Sequence, residues 1–73
     1  MDSNLNAVME RFAKCRKSAC TQEYLAEIIG VNPKTISAFE TGRRTPSLNT
    51  FIKMCRTINA DVNYIFFGEE NYD

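Results

Sequence analysis

The residues best equipped for chemistry cluster in one short stretch. Asn32, Pro33, Lys34, Ser37, Ala38 and Thr41 recur at spacings that turn them to the outward side of a helix beginning at Pro33, and Arg43-Arg44-Thr45 follows as a basic loop before Pro46. An amide, an ammonium and two hydroxyls side by side suit recognition by hydrogen bonds, and two guanidiniums on an adjoining turn suit phosphate oxygens. Bond-making chemistry has no comparable support. The chain has no histidine, no glycine-rich loop to cradle phosphate and no carboxylate pair in a recognisable setting, so an enzyme is the weakest reading. Cys15, Cys20 and Cys55 are odd in number, lack a CxxC pair and have no histidine to join them. They are expected to be reduced thiols used as small apolar side chains, with no metal and no cofactor.

Holding such a stretch in place requires a specific local architecture, and Thr21 to Gly42 supplies it. Leu25, Ile29, Val31, Ile36 and Phe39 are its apolar positions, with Gly30 dividing them, which predicts two short helices each burying one face. Ala26 falls where the two helices approach most closely. Gly30 ends the first helix because a residue past the C-cap needs positive φ at little steric cost. Asn32 caps the second and Pro33 is favoured at its first position, where a missing N–H leaves no intrahelical bond unmade. Val31 with Ile36, and Cys20 with Leu25 ahead of the Thr21 cap, are placed as hydrophobic staples.

Gln22, Leu25, Ala26, Ile29, Gly30, Val31, Ile36 and Phe39 fall where the helix-turn-helix of the phage repressor and Cro (Xre-type) regulators places its corresponding residues. Arg43 to Leu48 and Asp61 to Gly68 match as well, so the chain resembles that family from about Leu5 to Gly68. The resemblance implies an all-α, five-helix lambda-repressor-like domain that binds double-stranded DNA in a sequence-specific way, usually as a repressor. It also implies that Gln22 holds a DNA phosphate, the alternative being a solvated glutamine at a helix start. Base reading would fall to Asn32, Pro33, Lys34, Ser37, Ala38 and Thr41 in the major groove: Asn32 on adenine, Lys34 on guanine or a phosphate, Ser37 on either kind of base, Ala38 on a thymine methyl. Phosphate contacts would fall to Thr21, Gln22, Thr35, Arg43 and Arg44. Members of the family usually pair an arginine near the end of the first helix with a glutamate at the end of the recognition helix. Arg16 and Glu40 are the candidates, but the connection from Arg16 to Gln22 is one residue shorter than usual, which leaves the pairing open.

The remaining chain reads as scaffold. A first helix, capped by Asp2 or Ser3 and running to about Lys17, carries Leu5, Val8, Met9, Phe12 and Cys15 as one apolar stripe, with Arg11, Lys14 and Lys17 off it. Ser47 caps a fourth helix with Leu48, Phe51, Ile52, Cys55 and Ile58 inward. Asn59 ends it, and Asp61 caps a last helix, Val62 to Phe67, whose inward face is Val62, Ile65 and Phe66. Tyr64 and Phe67 are left over. They are expected either at a homodimer interface or as cover for the rim of a small core.

Residues 1–73 allow a single domain, with the motif at 21–42 and an acidic segment at 69–73 expected to fray; no residues remain for a small-molecule sensor. No apolar run approaches a membrane span and the first twenty residues carry charges, so a cytoplasmic protein is expected. Net charge is zero, yet all nine basic residues lie between positions 11 and 56, where only Glu23, Glu27 and Glu40 oppose them. That segregation can give a positive face despite overall neutrality. The rival to a DNA-binding role is a protein-interaction module, such as an antitoxin or a regulator's partner, on the same fold.

Overall fold

A computed structural model describes residues 5–68. The helices are α1 (Leu5–Ala19), α2 (Gln22–Ile29), α3 (Pro33–Glu40), α4 (Leu48–Ile58) and α5 (Val62–Phe67), and no strand occurs among the described residues. The expected all-α, five-helix architecture is therefore what forms. Helix α1 continues two residues beyond the expected Lys17. Asp2 and Ser3, the expected caps of α1, lie outside the described residues, as does the 69–73 segment.

Local signals place the other helix ends. Thr21, Ser47 and Asp61 each accept a hydrogen bond from the backbone N–H three residues on, at 3.0, 3.1 and 3.1 Å. Asn32 Oδ1 accepts from the Lys34 N–H at 2.8 Å. Each bond satisfies one of the N–H groups that a helix start leaves without a partner. Gly30 sits at φ 81° and its N–H donates to the Ala26 carbonyl at 2.8 Å, the left-handed ending that its residue type anticipates. Asn59 ends α4 with φ 53°.

Phe12, Leu25, Ile36, Met54 and Ile65, one from each helix, are fully buried and define a single core, with Val8, Met9, Ala26, Phe39, Phe51 and Cys55 around them. α2 packs on α3 and on α4, while α1 crosses behind against α3, α4 and α5. Ile29, Val31, Cys15 and Cys20 pack against the core from its edge. Burial pushes the Cys55 thiol up to about 11, with Cys15 adding to it, and the Cys15 thiol is raised first by burial and then by Asp61. Thiols held protonated in this way are poor nucleophiles and behave as apolar filling.

Val8, Met9, Phe12 and Cys15 of α1, Phe51, Cys55 and Ile58 of α4 and Ile65 of α5 turn inward as expected, while other residues of the three faces do not. Leu5 is exposed and Ala7 is buried in α1. In α4, Leu48 is 71 % exposed and Ile52 is also turned out, while Met54 is fully buried. The face that packs is Phe51, Met54, Cys55 and Ile58, because α4 carries a wider apolar arc than its neighbours can cover. In α5, Val62 is exposed and Phe66 only partly covered, leaving Ile65 as the buried anchor. Tyr64 packs against the core, the rim-covering one of the two placements expected for it. Phe66 meets Phe51 edge-on at 5.6 Å, and Phe51 in turn meets Phe12 at 5.6 Å.

Candidate nucleic-acid interface

The junction of α1, α2 and α3 is built on Glu40. Arg16 Nε donates to Glu40 Oε2 at 2.8 Å and Arg16 Nη2 to Glu40 Oε1 at 3.0 Å, a two-pronged pair with both side chains under a tenth exposed. Arg16 Nη1 donates to the Cys20 carbonyl at 3.0 Å, and Gln22 Nε2 donates to Glu40 Oε1 at 3.0 Å. The pairing that the short connection left open is thus made. Because α1 reaches Ala19, Arg16 stands in its last turn, and only Cys20 and Thr21 separate the two helices. The Glu40 carboxylate raises the already high pKa of the Arg16 guanidinium, chiefly through their hydrogen bond. Arg16 therefore stays charged wherever the domain is folded.

This cluster fixes the N-terminal end of α2 beside the C-terminal end of α3. Thr21 and Gln22 lie at the start of α2, where unpaired N–H groups and the positive end of the helix dipole favour an anion. Gln22 is half-buried, and one of its two amide hydrogens is committed to Glu40. Its amide plane is thereby oriented rather than free to rotate. Tyr24 is exposed.

On α3, Asn32, Lys34 and Thr41 are exposed, and Pro33, Thr35 and Ser37 are half-buried. Asn32 uses its side-chain oxygen as the helix cap, which leaves the amide nitrogen for an outside partner. Ala38 departs from the expectation of an outward thymine contact: it is only 6 % exposed. It is buried together with Ile36 and Phe39, and its carbonyl accepts from the Arg43 and Arg44 N–H groups at 2.9 and 3.1 Å, which closes the following loop against the helix end. A side chain of one methyl group is too short to reach outward from there.

Arg43 and Arg44 are both exposed but differ in placement. Arg43 Nε donates to Thr41 Oγ1 at 3.1 Å and Arg43 Nη2 reaches Ser37 Oγ at 3.5 Å, which lays this guanidinium along α3 rather than away from it. Gly42 permits the return with φ 82°. Of the nine basic residues, two are internal ties: Arg16 to Glu40, and Arg11, whose Nε donates to the Ile65 carbonyl at 2.8 Å. Lys14, Lys17, Lys34, Arg43, Arg44, Lys53 and Arg56 are exposed.

Arg11 lies off the apolar stripe of α1, yet it holds the end of α5 from 54 residues away. No local pattern signals a contact of that separation. The bond from Gln22 to Glu40 was missed for the same reason.

Comparison with known proteins agrees with this architecture. The sequence model of the family described as Helix-turn-helix matches residues 13–65. The chain is 32 % identical over 63 residues to YqaE of Bacillus subtilis (strain 168), named an uncharacterised HTH-type transcriptional regulator, covering 85 % of this chain and 54 % of that protein. It is 42 % identical over 50 residues to an HTH-type transcriptional regulator of Archaeoglobus fulgidus, covering 68 % of this chain and 70 % of that one. A third relative, YgzD of Bacillus subtilis, is 36 % identical over 50 residues, covering 68 % and 76 % respectively. The chain thus spans about half the length of YqaE and most of the length of the other two. No solved structure matches at the same stringency. With a capped helix pair at its centre and a family match over most of its length, the chain belongs to the Xre/Cro-like helix-turn-helix family.

Proposed function

We propose that this protein is a sequence-specific double-stranded DNA-binding transcriptional regulator, acting in the cytoplasm as a homodimer and repressing the genes whose operators it occupies. The observation that carries the reading is α3 itself: a capped helix fixed by the Arg16, Glu40 and Gln22 cluster, with Asn32, Lys34 and Thr41 exposed at its start, first turn and end and Ser37 half-buried between them. Such a helix fits the major groove, where each base pair presents its own pattern of donors and acceptors. Asn32 and Lys34 would read bases, with Pro33 close to the helix start and Ser37 and Thr41 along the same side. Thr21, Gln22, Thr35 and Arg44 would hold phosphates and set the register. Relatives named as transcriptional regulators support the same role.

A dimer follows from the size of the reading surface. One recognition helix touches too few base pairs to select a site among the roughly 10⁶ or more competing sites of a genome. A two-fold pair would set its recognition helices about 34 Å apart and require an operator with approximate inverted symmetry. Apart from Leu5 on α1 and Tyr24 and Ile28 on α2, the exposed large apolar residues gather on α4 and α5: Leu48 and Ile52, and Val62, Phe66 and Phe67. The ring contacts of Phe51 with Phe66, and of Phe66 with Phe67 at 6.2 Å, join the two helices along this side. The interface is therefore centred on Phe67, while Tyr64 supports it from the core.

Selection of bound sequences from a random duplex pool, followed by titration over a range of salt concentrations, tests the reading. A preferred site of inverted symmetry and a steep fall in affinity with salt are expected. Weak binding without sequence preference would favour the protein-interaction module, for which the same apolar strip would be the contact.

A further inference from the structure

We propose that Arg43 is a base-reading residue that recognises guanine at the C-terminal end of α3, with Thr41 and Ser37 as its positioning residues. The inference rests on the DNA-binding reading above and departs from the expectation that Arg43 and Arg44 both hold phosphates.

The geometry separates the two arginines. Lys34, Ser37 and Thr41 are spaced by three and four residues and so lie along one side of α3. Arg43 follows the helix, but its guanidinium is brought back onto that same side by Thr41 Oγ1 at 3.1 Å and Ser37 Oγ at 3.5 Å. Its backbone is fixed too, through the bond from its N–H to the Ala38 carbonyl at 2.9 Å. The Thr41 hydroxyl spends its one hydrogen on the Ser37 carbonyl at 2.8 Å, so toward Arg43 it can only accept. That polarity suits a guanidinium and no acceptor.

Arginine carries five N–H donors in a rigid fork. The two hydroxyls engage Nε and one hydrogen of Nη2, along one edge of the guanidinium. Left over is the terminal edge, one N–H from each of Nη1 and Nη2, the pair that matches O6 and N7 of guanine. A side chain held in this way loses less rotamer freedom on binding than a free one. Phosphates border the groove instead of lying along its floor, so a guanidinium laid on the reading side of α3 faces base edges.

The test is selection from a random duplex pool with the wild type, then affinity measurement on the selected site and on versions changed at single base pairs. Arg43→Ala should lose a preference for one G·C pair of each half-site, by roughly 5- to 150-fold, and leave the other positions unchanged. Arg43→Lys keeps the charge but loses the planar fork that Thr41 and Ser37 hold, so it should regain affinity for all sequences without regaining the full preference, whereas a phosphate contact would be largely rescued. Thr41→Val, which removes only the hydroxyl, should weaken discrimination at the same pair. Arg44→Ala should weaken all sequences alike and lower the salt slope by about one unit. If Arg43→Ala behaves as Arg44→Ala does, with the base preference intact, Arg43 is a phosphate contact and the inference is overturned. A wild type that selects no sequence would overturn the DNA-binding reading itself, a result distinct from a selective wild type whose Arg43 variants keep its preference.

Discussion

Glu40 is the side chain with most depending on it. It accepts from Arg16 twice and from Gln22 once, and its side chain is only 6 % exposed. Taking ions from water is costly, and their attraction offsets that cost only while both partners remain. Glu40→Ala strands the Arg16 guanidinium and should destabilise the fold by about 3–5 kcal/mol, read from urea unfolding. Replacing both members with Arg16→Met and Glu40→Leu should recover much of the loss, because a buried pair is worth little over apolar packing. An equal loss in the double variant would show that the pair itself stabilises. The thiols give a second residue-scale prediction. Cys55 ionises at about 11 in the fold against 9.0 for the ordinary thiol, so folding favours its neutral form. That contribution is complete below pH 9 and is lost as pH rises through about 11; stability should decline across that window. Cys55→Ala or Cys55→Val should flatten the decline in unfolding curves recorded at successive pH values.

At the scale of elements, the turn between α2 and α3 sets where α3 points. Gly30 has open space around it, so Gly30→Ala meets no neighbour and its cost is the backbone conformation alone, about 1 kcal/mol. Gly42 differs. A Cβ there would stand 2.6 Å from Asn6 Oδ1, so Gly42→Ala combines strained φ with displacement of a side chain on α1. Thermal unfolding should rank Gly42→Ala as the more damaging. α5 is six residues long, too short to hold itself together, and Arg11 ties its last carbonyls to α1 at 2.8 and 3.3 Å. Arg11→Ala should loosen α5 before the rest of the domain opens, visible as faster amide exchange at Ile65 and Phe66 while α2 and α3 keep their protection.

For the whole molecule, the decisive variant is Phe67→Asp. Phe67 is 70 % exposed, so it contributes little to the core and the variant should fold normally by circular dichroism. In the proposed dimer a carboxylate buried without a partner opposes association, so sedimentation should show a monomer with much weaker operator binding. A Phe67→Asp protein that stays dimeric places the interface elsewhere. Tyr64→Ala should behave differently, lowering stability through lost packing at the core edge.

How far the sequence alone reached depends on the distance over which each feature is decided. Helix ends were legible because a cap is a contest among neighbouring backbone groups: Thr21, Asn32, Ser47 and Asp61 each accept from an N–H two or three residues away. The fold class and the outward placing of Asn32, Lys34 and Thr41 followed from periodicity and from the family resemblance. Which part of a wide apolar arc turns inward was not legible, since Leu48, Phe51, Ile52, Met54, Cys55 and Ile58 all satisfy a helical pattern and only the fit against neighbouring helices selects among them. Ala38 differs for a related reason, because the packing of α3 buries it along with Ile36 and Phe39. The ties of Arg16 to Glu40 and Arg11 to Ile65 span 24 and 54 residues. A guanidinium can reach many carboxylates and carbonyls in an unfolded chain; packing of α1 against α3 and α5 leaves these within hydrogen-bonding distance. Sequence determined the helices and their caps by local bonding, whereas the tertiary structure decided which charges became internal ties and which remained exposed, because that choice depends on what burial brings together.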